Sequence, residues 1–459
     1  MQIKSEICVF FLRMSEKSSI FAGDFMNETT ICAVSTPPGI GGIAVVRVSG
    51  EEAIARVDSL FVGHSRLLDA KAGTVHFGRI ERNKEVLDEV LCSVFRAPHS
   101  FTGEDTVEIA CHGRQYIQRE LLQWLVDAGC KIARPGEFTQ RAFLNGKMDL
   151  AQAEAVADLI AAQNKAEKEL AFSQLRGSVS TELAALRERL LHFTSLVELE
   201  LDFADHEELE FADRTELKDL ADEIEKKLQS LLTSFRTGNA IRNGVPVAIV
   251  VAPNVGKSTL LNALLGDDRA IVIDIQGTTL ETIEQTVVID DILFRLIDTA
   301  GLRETKDAIE TLGIERTLRA AEKAQIVIYI ANEPIELQTL HGSIIRVINK
   351  SDLGAQGDGL LISAKNGEIG PLKQELVRVA KEQLDGASAV MLSNARHYEA
   401  VQRAHEAIER VQAGLQEGLS GELLSMDLQD CLSALGEVTG QITNQEVLSN
   451  IFSKFCIGK

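Results

Sequence analysis

The segment VVAPNVGKSTLLNALLG, residues 250–266, contains the first residues whose types and spacing suggest chemistry. Gly256, Lys257 and Ser258 match the end of a phosphate-binding loop, in which a glycine and four free positions precede Gly-Lys-Ser. Such a loop directs backbone N–H groups and a helix N-terminus at phosphate oxygens. The lysine would contact the outer phosphates, and the serine hydroxyl would coordinate Mg²⁺. Val251 stands where the first glycine belongs, so the segment alone also fits a turn that merely begins a helix.

Two motifs further along the chain favour nucleotide binding over that simpler interpretation. LIDTAG ends an apolar run at Asp298, whose carboxylate is suited to hold the water shell of Mg²⁺. Gly301 of the same motif would donate its backbone N–H to the γ-phosphate. GTTLET precedes it, and Thr279 is the natural second Mg²⁺ ligand, released when the γ-phosphate leaves. Leu302 follows DTAG where Ras-type enzymes have the glutamine that positions water, so catalytic assistance must come from elsewhere.

The base of the nucleotide is predicted from INKSD and SAK, which each follow a strand-like run. Asp352 is placed to accept two N–H bonds from guanine, a pair of donors that adenine lacks. Asn349 and Lys350 would pack around the base. The SAK motif would close over its oxo group; it comprises Ser363, Ala364 and Lys365. Motifs in this order at strand ends fit a nucleotide site at the carboxyl edge of an α/β sheet. The sequence therefore predicts guanine-nucleotide binding of the kind seen in translation-factor-like GTPases.

The elements that must position these residues follow from the hydrophobic pattern. From about Thr29 to Glu108, short β-branched runs between Gly, Pro and charged turns predict a mixed α+β domain. From about Val245 to Leu384, strand-like and helical runs alternate, which predicts a parallel sheet with crossover helices. On either side, apolar residues recur at three-four spacing on single helix faces; they are Leu183, Leu186, Leu190, Phe193 and Val197, then Val401, Ala404, Ile408, Val411 and Leu415. The α/β domain is thus predicted to interrupt a helical domain built from two distant segments.

Composition narrows the class of protein. The 459 residues suffice for roughly two to four domains. No apolar run approaches the roughly 18 residues of a membrane span. The seven cysteines form no CxxC pairs, so neither a disulfide framework nor a zinc site is indicated, and we expect a reduced, cytoplasmic protein. The net charge of −21 argues against sequence-blind nucleic-acid binding, which needs clustered Lys and Arg. The acidic run ELELDFADHEELEFAD fits a solvated surface better than an ion site.

Beyond these motifs, the chain resembles the bacterial tRNA modification GTPases called MnmE or TrmE. The resemblance runs from about Met26 to Lys459 and includes FTGEDTVEI, ARPGEFTQRAFLNGKMDLAQAEAVADLI, DTAGLRE followed by LGIER, and the terminal FCIGK. It implies the fold class α/β and α multidomain, with an N-terminal α+β folate-binding-like domain, a discontinuous helical domain and an inserted P-loop GTPase domain. The implied bounds are 1–25 for a disordered extension, 26–145 for the N-terminal folate-binding and dimerisation domain, 146–242 and 385–459 for the helical domain, and 243–384 for the G domain.

The resemblance also implies partners and a reaction. Such proteins form homodimers through the N-terminal domain. With the flavoprotein MnmG, in a heterotetramer or larger assembly, they install an aminomethyl or carboxymethylaminomethyl group on C5 of the wobble uridine of tRNA. The one-carbon unit would come from 5-formyltetrahydrofolate or another tetrahydrofolate. Residues matching the folate site are Arg47, Glu108, Lys147 and Lys459. A carboxylate is suited to pair with the pterin edge, and cations with the glutamyl tail.

Potassium takes the place of an arginine finger in the G domain of this family. Asn254 matches the side-chain K⁺ ligand, and the loop around Ile273, Ile275 and Thr278 would supply further oxygens. A cation there neutralises charge that develops between the β- and γ-phosphates. Glu310 matches the glutamate that orients the attacking water. Cys456 matches a near-terminal cysteine, which acts as nucleophile or acid/base if its pKa is lowered and is otherwise a small buried hydrophobe.

The residues expected to bind the nucleotide include more than those with a named role. In the phosphate-binding loop they also include Val255 and Thr259, beside Gly256, Lys257 and Ser258. In DTAG they also include Thr299 and Ala300, beside Asp298 and Gly301. The expected metal ligands are Ser258 and Thr279 for Mg²⁺, and Asn254, Ile273, Ile275 and Thr278 for K⁺.

Departures from the family pattern leave other functions open. Val251 replaces the first loop glycine, Leu280 replaces the arginine after GTT, and Ile273 and Gln276 lie in the potassium loop. These changes put nucleotide affinity and turnover in question more than the fold. The alternatives are a dimeric scaffold that binds GTP and folate without hydrolysis, a ribosome-assembly GTPase of the Era type, and a folate-dependent transferase with a passenger G domain. The Era type would carry a basic RNA-binding appendage, which this acidic chain does not suggest.

Overall fold

The computed structural model describes residues 29–202, 214–251, 256–266, 285–297, 321–322, 324–330, 342–384, 390–443, 445–453, 455 and 458. The expected extension, residues 1–25, lies outside these ranges. Contacts between residues divide the chain into two units, one formed by residues 1–154 with 442–459 and the other by residues 155–441. The first unit is thus formed by two segments that are far apart in sequence, and the second by one continuous segment.

Among the described residues, strands and helices mix in residues 31–132 and 245–384, whereas residues 137–243 and 395–453 are helical. The strands are β1 (Ile31–Val34), β2 (Ala44–Ser49), β3 (Phe61–Gly63), β4 (Thr74–Arg82), β5 (Glu85–Phe95), β6 (Thr106–Cys111), β7 (Lys131–Ile132), β8 (Val245–Val251), β9 (Gln285–Ile289), β10 (Ile292–Ile297), β11 (Ile326–Ile330), β12 (Ser343–Ile348) and β13 (Leu360–Leu361). The helices are α1 (Ala53–Asp58), α2 (Gln115–Asp127), α3 (Glu137–Leu144), α4 (Leu150–Ala161), α5 (Lys165–Leu175), α6 (Ser178–Asp202), α7 (Arg214–Asn243), α8 (Lys257–Leu265), α9 (Gly370–Leu384), α10 (Ala395–Glu417), α11 (Gly421–Thr439) and α12 (Gln445–Ser453).

The first unit contains a seven-stranded sheet in the order β3-β4-β5-β6-β2-β1-β7. Its neighbouring strands are antiparallel except for β1 and β7, which are parallel. Alternate residues of β2 and β6 are buried, because successive side chains of a strand point to opposite faces. The core beneath the sheet includes Val46, Val48, Val107, Ile109 and Leu121. This arrangement confirms the predicted α+β domain.

The G domain, inside the second unit, is built on a six-stranded sheet in the order β13-β12-β11-β8-β10-β9. The central pairs β12–β11, β11–β8 and β8–β10 are parallel, and only β9 with β10 is antiparallel. All five residues of β11 are buried, Ile326, Ile328 and Ile330 on one face and Val327 and Tyr329 on the other, as expected for a strand covered on both faces. The predicted parallel sheet is confirmed, and its carboxyl edge receives the loops that carry the nucleotide motifs.

The helical part of the second unit is formed by segments on both sides of the G domain. The five residues predicted to line one face of the first long helix lie in α6, and each is at most 2% exposed. The five predicted for the distant helix lie in α10, and each is at most 3% exposed. Because α10 packs against α7, and α11 against α6, the two segments form one helical layer. The discontinuous helical domain is therefore confirmed.

Candidate functional site

The phosphate-binding loop leads from β8 into helix α8. Gly256 forms the N-cap of α8 with a φ of +106°, a conformation that favours glycine. Leu260, Leu261 and Leu264 hold α8 against the sheet. Ser258 is exposed in the first turn of the helix, and Lys257 is half-buried beside it. The helix N-terminus and Lys257 thus supply the hydrogen-bond donors that a phosphate group requires, and Ser258 supplies a hydroxyl oxygen suited to Mg²⁺.

Val251 keeps a regular strand conformation despite standing at the first glycine position of the loop. It is the last residue of β8 and pairs with Ile330 of the parallel strand β11. Its φ is not positive, so the backbone here makes no demand that only glycine meets. A valine is thus compatible with the backbone conformation at this position.

The two motifs predicted to hold the guanine base meet at the ends of β12 and β13. The backbone N–H of Ala364 donates to Asn349 Oδ1 at 3.0 Å. The Ser363 hydroxyl donates to Asp352 Oδ1 at 2.7 Å. Asn349 and Ser363 are buried, whereas Asp352 and Lys365 are exposed. The arrangement fixes the Asp352 carboxylate while leaving it accessible to a ligand.

The phosphate and base motifs are in direct contact through Gly256 and Asn349. A Cβ atom added to Gly256 would lie 2.8 Å from Asn349 Nδ2. Lys350 adopts a left-handed conformation with a φ of +66°, which turns the chain between β12 and the short helical turn containing Asp352. The structure thus brings together Gly256, Asn349, Asp352 and Ser363, four residues that the sequence placed in one site.

Several predicted site residues lie outside the described residues, and their predicted roles stay predictions. On the nucleotide side they are Asn254, Val255, Ile273, Ile275, Thr278, Thr279, Asp298, Thr299, Ala300, Gly301 and Glu310. Near the C-terminus they are Cys456 and Lys459. In the sequence, Asp298 follows Ile297, the last residue of β10, which pairs with β8.

The predicted folate residues Arg47 and Glu108 face each other across β2 and β6. Arg47 Nε and Nη2 both contact Glu108 Oε1, at 2.9 and 2.8 Å. The guanidinium also lies over the rings of Phe101 and Phe138, 5.2 and 5.6 Å from the ring centroids. The Arg47 side chain is 18% exposed and that of Glu108 is 30% exposed. Glu108 is thus the more accessible of the two, and Arg47 is occupied in holding it.

Lys147 lies over the turn that contains Phe101. Its Nζ donates to the backbone carbonyl of Pro98 at 2.9 Å. A Cβ atom on Gly103 would lie 3.3 Å from Lys147 Cγ, which shows how closely the lysine covers this turn. The described structure therefore links Lys147 to the Arg47 site through the 98–103 turn rather than by direct contact with Glu108.

The C-terminal segment packs against the same domain. The Ser35 hydroxyl donates to the carbonyl of Gly458 at 3.0 Å. A Cβ atom on Gly458 would lie 2.2 Å from the Val34 carbonyl oxygen, so β1 and the segment are in backbone contact. Because Val34 of β1 pairs with Val46 of β2, Gly458 lies one strand away from the strand that carries Arg47.

The sequence did not predict an ionic network that lies in the same domain as the Arg47–Glu108 pair. Arg141 on α3 contacts Glu104 at 3.1 Å and Glu137 at 3.1 Å, and is itself buried. Burial would raise the pKa of Glu137, but hydrogen bonds from the Arg134 backbone N–H and from Arg141 bring it below its ordinary value. Glu104 and Arg141 fall in FTGEDTVEI and in ARPGEFTQRAFLNGK, so the motifs themselves were the available signal.

No helix among the described residues is long and apolar enough to cross a membrane. The described cysteines Cys32, Cys92, Cys111, Cys130 and Cys431 are free and buried. Burial raises the pKa of the Cys111 thiol to about 11 and that of Cys92 to about 12, so these thiols stay protonated at neutral pH.

Comparison with known proteins gives matches over nearly the whole chain. Residues 150–456 match the family described as MnmE helical domain, and residues 30–147 match the family described as GTP-binding protein TrmE N-terminus. The tRNA modification GTPase MnmE of Parabacteroides distasonis is 52% identical over 461 residues, which cover 94% of this chain and all of that protein. The tRNA modification GTPase MnmE of Bacteroides fragilis strain ATCC 25285 is 49% identical over 467 residues, 95% of this chain and all of that protein. Among solved structures, the G domain of the T. maritima FeoB iron transporter is 24% identical over 29% of this chain and 97% of that one, with a TM-score of 0.23.

Proposed function

This chain belongs to the family of tRNA modification GTPases called MnmE, and we propose that it hydrolyses GTP in the course of modifying tRNA. The observation that carries the proposal is the meeting of Gly256, Asn349, Asp352 and Ser363 at one edge of the G-domain sheet. Phosphate donors lie at one end of this edge, and the carboxylate of Asp352, suited to the two N–H donors of guanine, lies at the other. The geometry favours a guanine nucleotide over an adenine nucleotide.

The residues present fit the metal ions that such a reaction uses. Ser258 and Thr279 would supply hydroxyl ligands to Mg²⁺, which binds through hard oxygen ligands and the phosphates themselves. Asn254 and the backbone around Ile273, Ile275 and Thr278 would hold K⁺, and Glu310 would orient the attacking water. A cation at that position stabilises charge that develops on the phosphates. Since the loop would supply backbone oxygens, which do not depend on side-chain identity, the departures at Ile273 and Gln276 are compatible with this role.

The tRNA-modifying half of the reaction is proposed for the N-terminal domain. A homodimer, assembled with the flavoprotein MnmG, would modify C5 of the wobble uridine with a one-carbon unit from a tetrahydrofolate. Glu108 would pair with the pterin, Lys147 and Lys459 would attract the glutamyl tail, and Cys456 would contribute a thiol. A reduced, cytoplasmic location fits free cysteines. We propose the domain bounds 26–145, 146–242 with 385–459, and 243–384, with residues 1–25 as an extension.

The experiment that tests the GTPase proposal is turnover of GTP by the purified full chain in potassium chloride and in sodium chloride. We expect turnover that rises several-fold in potassium, because a bound monovalent cation lowers the barrier only where its site is formed. Asn254→Ala, which removes the side-chain ligand, should abolish the difference between the salts while leaving GDP binding intact.

A dimeric scaffold that binds GTP without hydrolysing it is the second candidate. The observation that favours it is Leu302, which stands where Ras-type enzymes carry the water-positioning glutamine. GTP binding with no turnover in either salt would establish this alternative and exclude the hydrolytic function.

A further inference from the structure

The G domain is joined to the helical domain at helix α7, which both chain connections contact. The incoming connection is a single residue, since α7 ends at Asn243 and β8 begins at Val245. Gly244 between them has a φ of +86°, and a Cβ atom there would lie 3.1 Å from both Arg295 N and Leu293 Cγ of β10. The end of α7 is therefore packed directly on the strands that lead to the phosphate-binding loop and to Asp298.

The outgoing connection returns to the same helix. The backbone N–H of Leu392 donates to the Ser234 hydroxyl of α7 at 3.1 Å. A Cβ atom on Gly238 would lie 2.2 Å from the Leu392 carbonyl oxygen, so the returning chain touches the backbone of α7. Any displacement of the G domain relative to the helices must therefore act at this joint.

Two polar clamps from helices α4 and α5 hold the joint. Arg242, in the last turn of α7, donates from Nε and Nη2 to Asp158 Oδ1 of α4, at 3.1 and 2.7 Å. Gln174 of α5 is 4% exposed and donates from Nε2 to the Met391 carbonyl at 3.1 Å and to the Ser393 hydroxyl at 2.9 Å. One clamp thus fixes the incoming connection, and the other fixes the outgoing one.

The volume between the clamps is not packed. A cavity of about 500 Å³ is lined by Asp158, Glu167 and Gln174 on the helical side and by Thr286, Leu293 and Arg295 on the G-domain side. A second cavity of about 180 Å³ lies at Arg236, Gln325 and Gln383. A close-packed interface admits one arrangement, whereas an interface held by directional polar contacts around open volume admits a second one.

We propose that Asp158 and Gln174 are positioning residues that couple the nucleotide state of the G domain to helices α4 and α5. They act through Arg242, Met391 and Ser393. Motion of β8 and β10 on nucleotide binding is transmitted through Gly244 to α7, and the two clamps pass it on. The inference rests on the proposed function, since it requires that the G domain binds guanine nucleotide.

The test is hydrogen exchange of the full chain without nucleotide, with GDP and with a non-hydrolysable GTP analogue. Two regions are compared: residues 256–265, which report binding directly, and residues 155–175, which report the clamps. In the wild type we expect nucleotide to slow or speed exchange in both regions, by roughly fivefold or more in the second, the lower end of typical coupling between sites. Asp158→Asn and Gln174→Met should keep the response of the first region and lose that of the second.

The matched control is Glu182→Gln, which breaks a contact of 2.9 Å between Lys227 of α7 and Glu182 of α6, away from the joint. It should keep both responses, as should the charge exchange Asp158→Arg with Arg242→Asp. A wild type that responds in residues 256–265 but not in 155–175, or clamp variants that respond like the wild type, would overturn the inference alone. No response in residues 256–265 of the wild type would overturn the proposed function and the inference with it.

Discussion

At the scale of single residues, Arg47 and Glu108 show how the structure changes a role that the sequence suggested. The resemblance implies that both residues hold the folate. In the structure, both contacts of the guanidinium go to one oxygen of Glu108, and two aromatic rings lie against it. Arg47 is therefore expected to act on a ligand mainly by holding the Glu108 carboxylate in place.

This role predicts that the effects of changing Arg47 and Glu108 on folate binding are not additive. Arg47→Met and Glu108→Gln should each weaken binding of 5-formyltetrahydrofolate by roughly tenfold, about 1.4 kcal/mol. The double variant should bind no worse than Glu108→Gln, because residues that share one interaction give non-additive effects. Titration calorimetry measures the four affinities, and Arg79→Met, which breaks the Arg79–Glu81 pair of the same sheet, is the control. Additive losses would mean that Arg47 contacts the ligand directly.

Glu137 makes the stability of the N-terminal domain depend on pH. Its pKa is lowered in the folded protein, so its contribution is complete above the unfolded pKa of about 4.3 and is lost as pH falls through the folded pKa. Glu137→Gln should lower the urea midpoint at pH 7, and the gap to the wild type should shrink below about pH 4.

The chain has one tryptophan, Trp124 on α2, which is 9% exposed and reports unfolding of this domain by fluorescence. Glu85→Gln, at an exposed position of β5, serves as the control. A gap between Glu137→Gln and the wild type that is the same at pH 7 and pH 3.5 would contradict the assigned origin of the effect.

At the scale of elements, β8 explains how a valine is accommodated at the start of the phosphate-binding loop. Since Val251 continues the pairing of β8 with β11, a glycine there would loosen a central strand, at a cost of about 0.5–1 kcal/mol. We expect Val251→Gly to lower the denaturant midpoint of the G domain and to leave the affinity for GDP within about twofold of the wild type. Val251→Ala removes most of the side chain without adding the backbone freedom of glycine, so comparing the two variants separates these effects.

The measurement is titration with a fluorescent GDP analogue alongside chemical denaturation of the three proteins. If Val251→Gly instead binds GDP tenfold more tightly than the wild type and Val251→Ala, nucleotide binding favours glycine at this position, and the pairing of β8 with β11 does not account for the valine.

Elements also mark the limit of what the sequence could predict. The base motif was predictable because the carboxyl ends of adjacent parallel strands meet, so Asn349 and Ala364 had to approach one another. The buried faces of α6 and α10 followed from helical periodicity. The partner of Arg47 lies 61 residues away, and the partner of Gln174 lies 219 residues away. Such contacts depend on strand register and on helix packing across an inserted domain, and no local pattern encodes them.

At the scale of the whole molecule, the chain assigns its two proposed chemistries to different units. The nucleotide motifs lie in residues 155–441, and the proposed folate residues lie in residues 1–154 and 442–459. The C-terminal segment belongs to the same unit as the N-terminal domain. A Cβ atom added to Gly136 would lie 2.6 Å from the carbonyl oxygen of Phe452 in α12, so the two are in close contact. A change in this segment should therefore affect the folate reaction and spare GTP turnover.

Gly458→Ala tests that separation. Its φ of +91° is strained for alanine, and the new Cβ would lie 2.2 Å from the Val34 carbonyl oxygen, so the segment carrying Cys456 and Lys459 must move away from β1. We expect modification of tRNA, assayed with the partner flavoprotein, to fall by roughly tenfold or more, the scale of losing one positioned group. GTP turnover should stay within about twofold of the wild type, because the G domain has its own core. Gly73→Ala is the matched control, since its φ is +74° but no atom lies within 4 Å of the added Cβ. If GTP turnover falls in step with tRNA modification, the two chemistries are not separable in this way, and the C-terminal segment must act on the G domain as well.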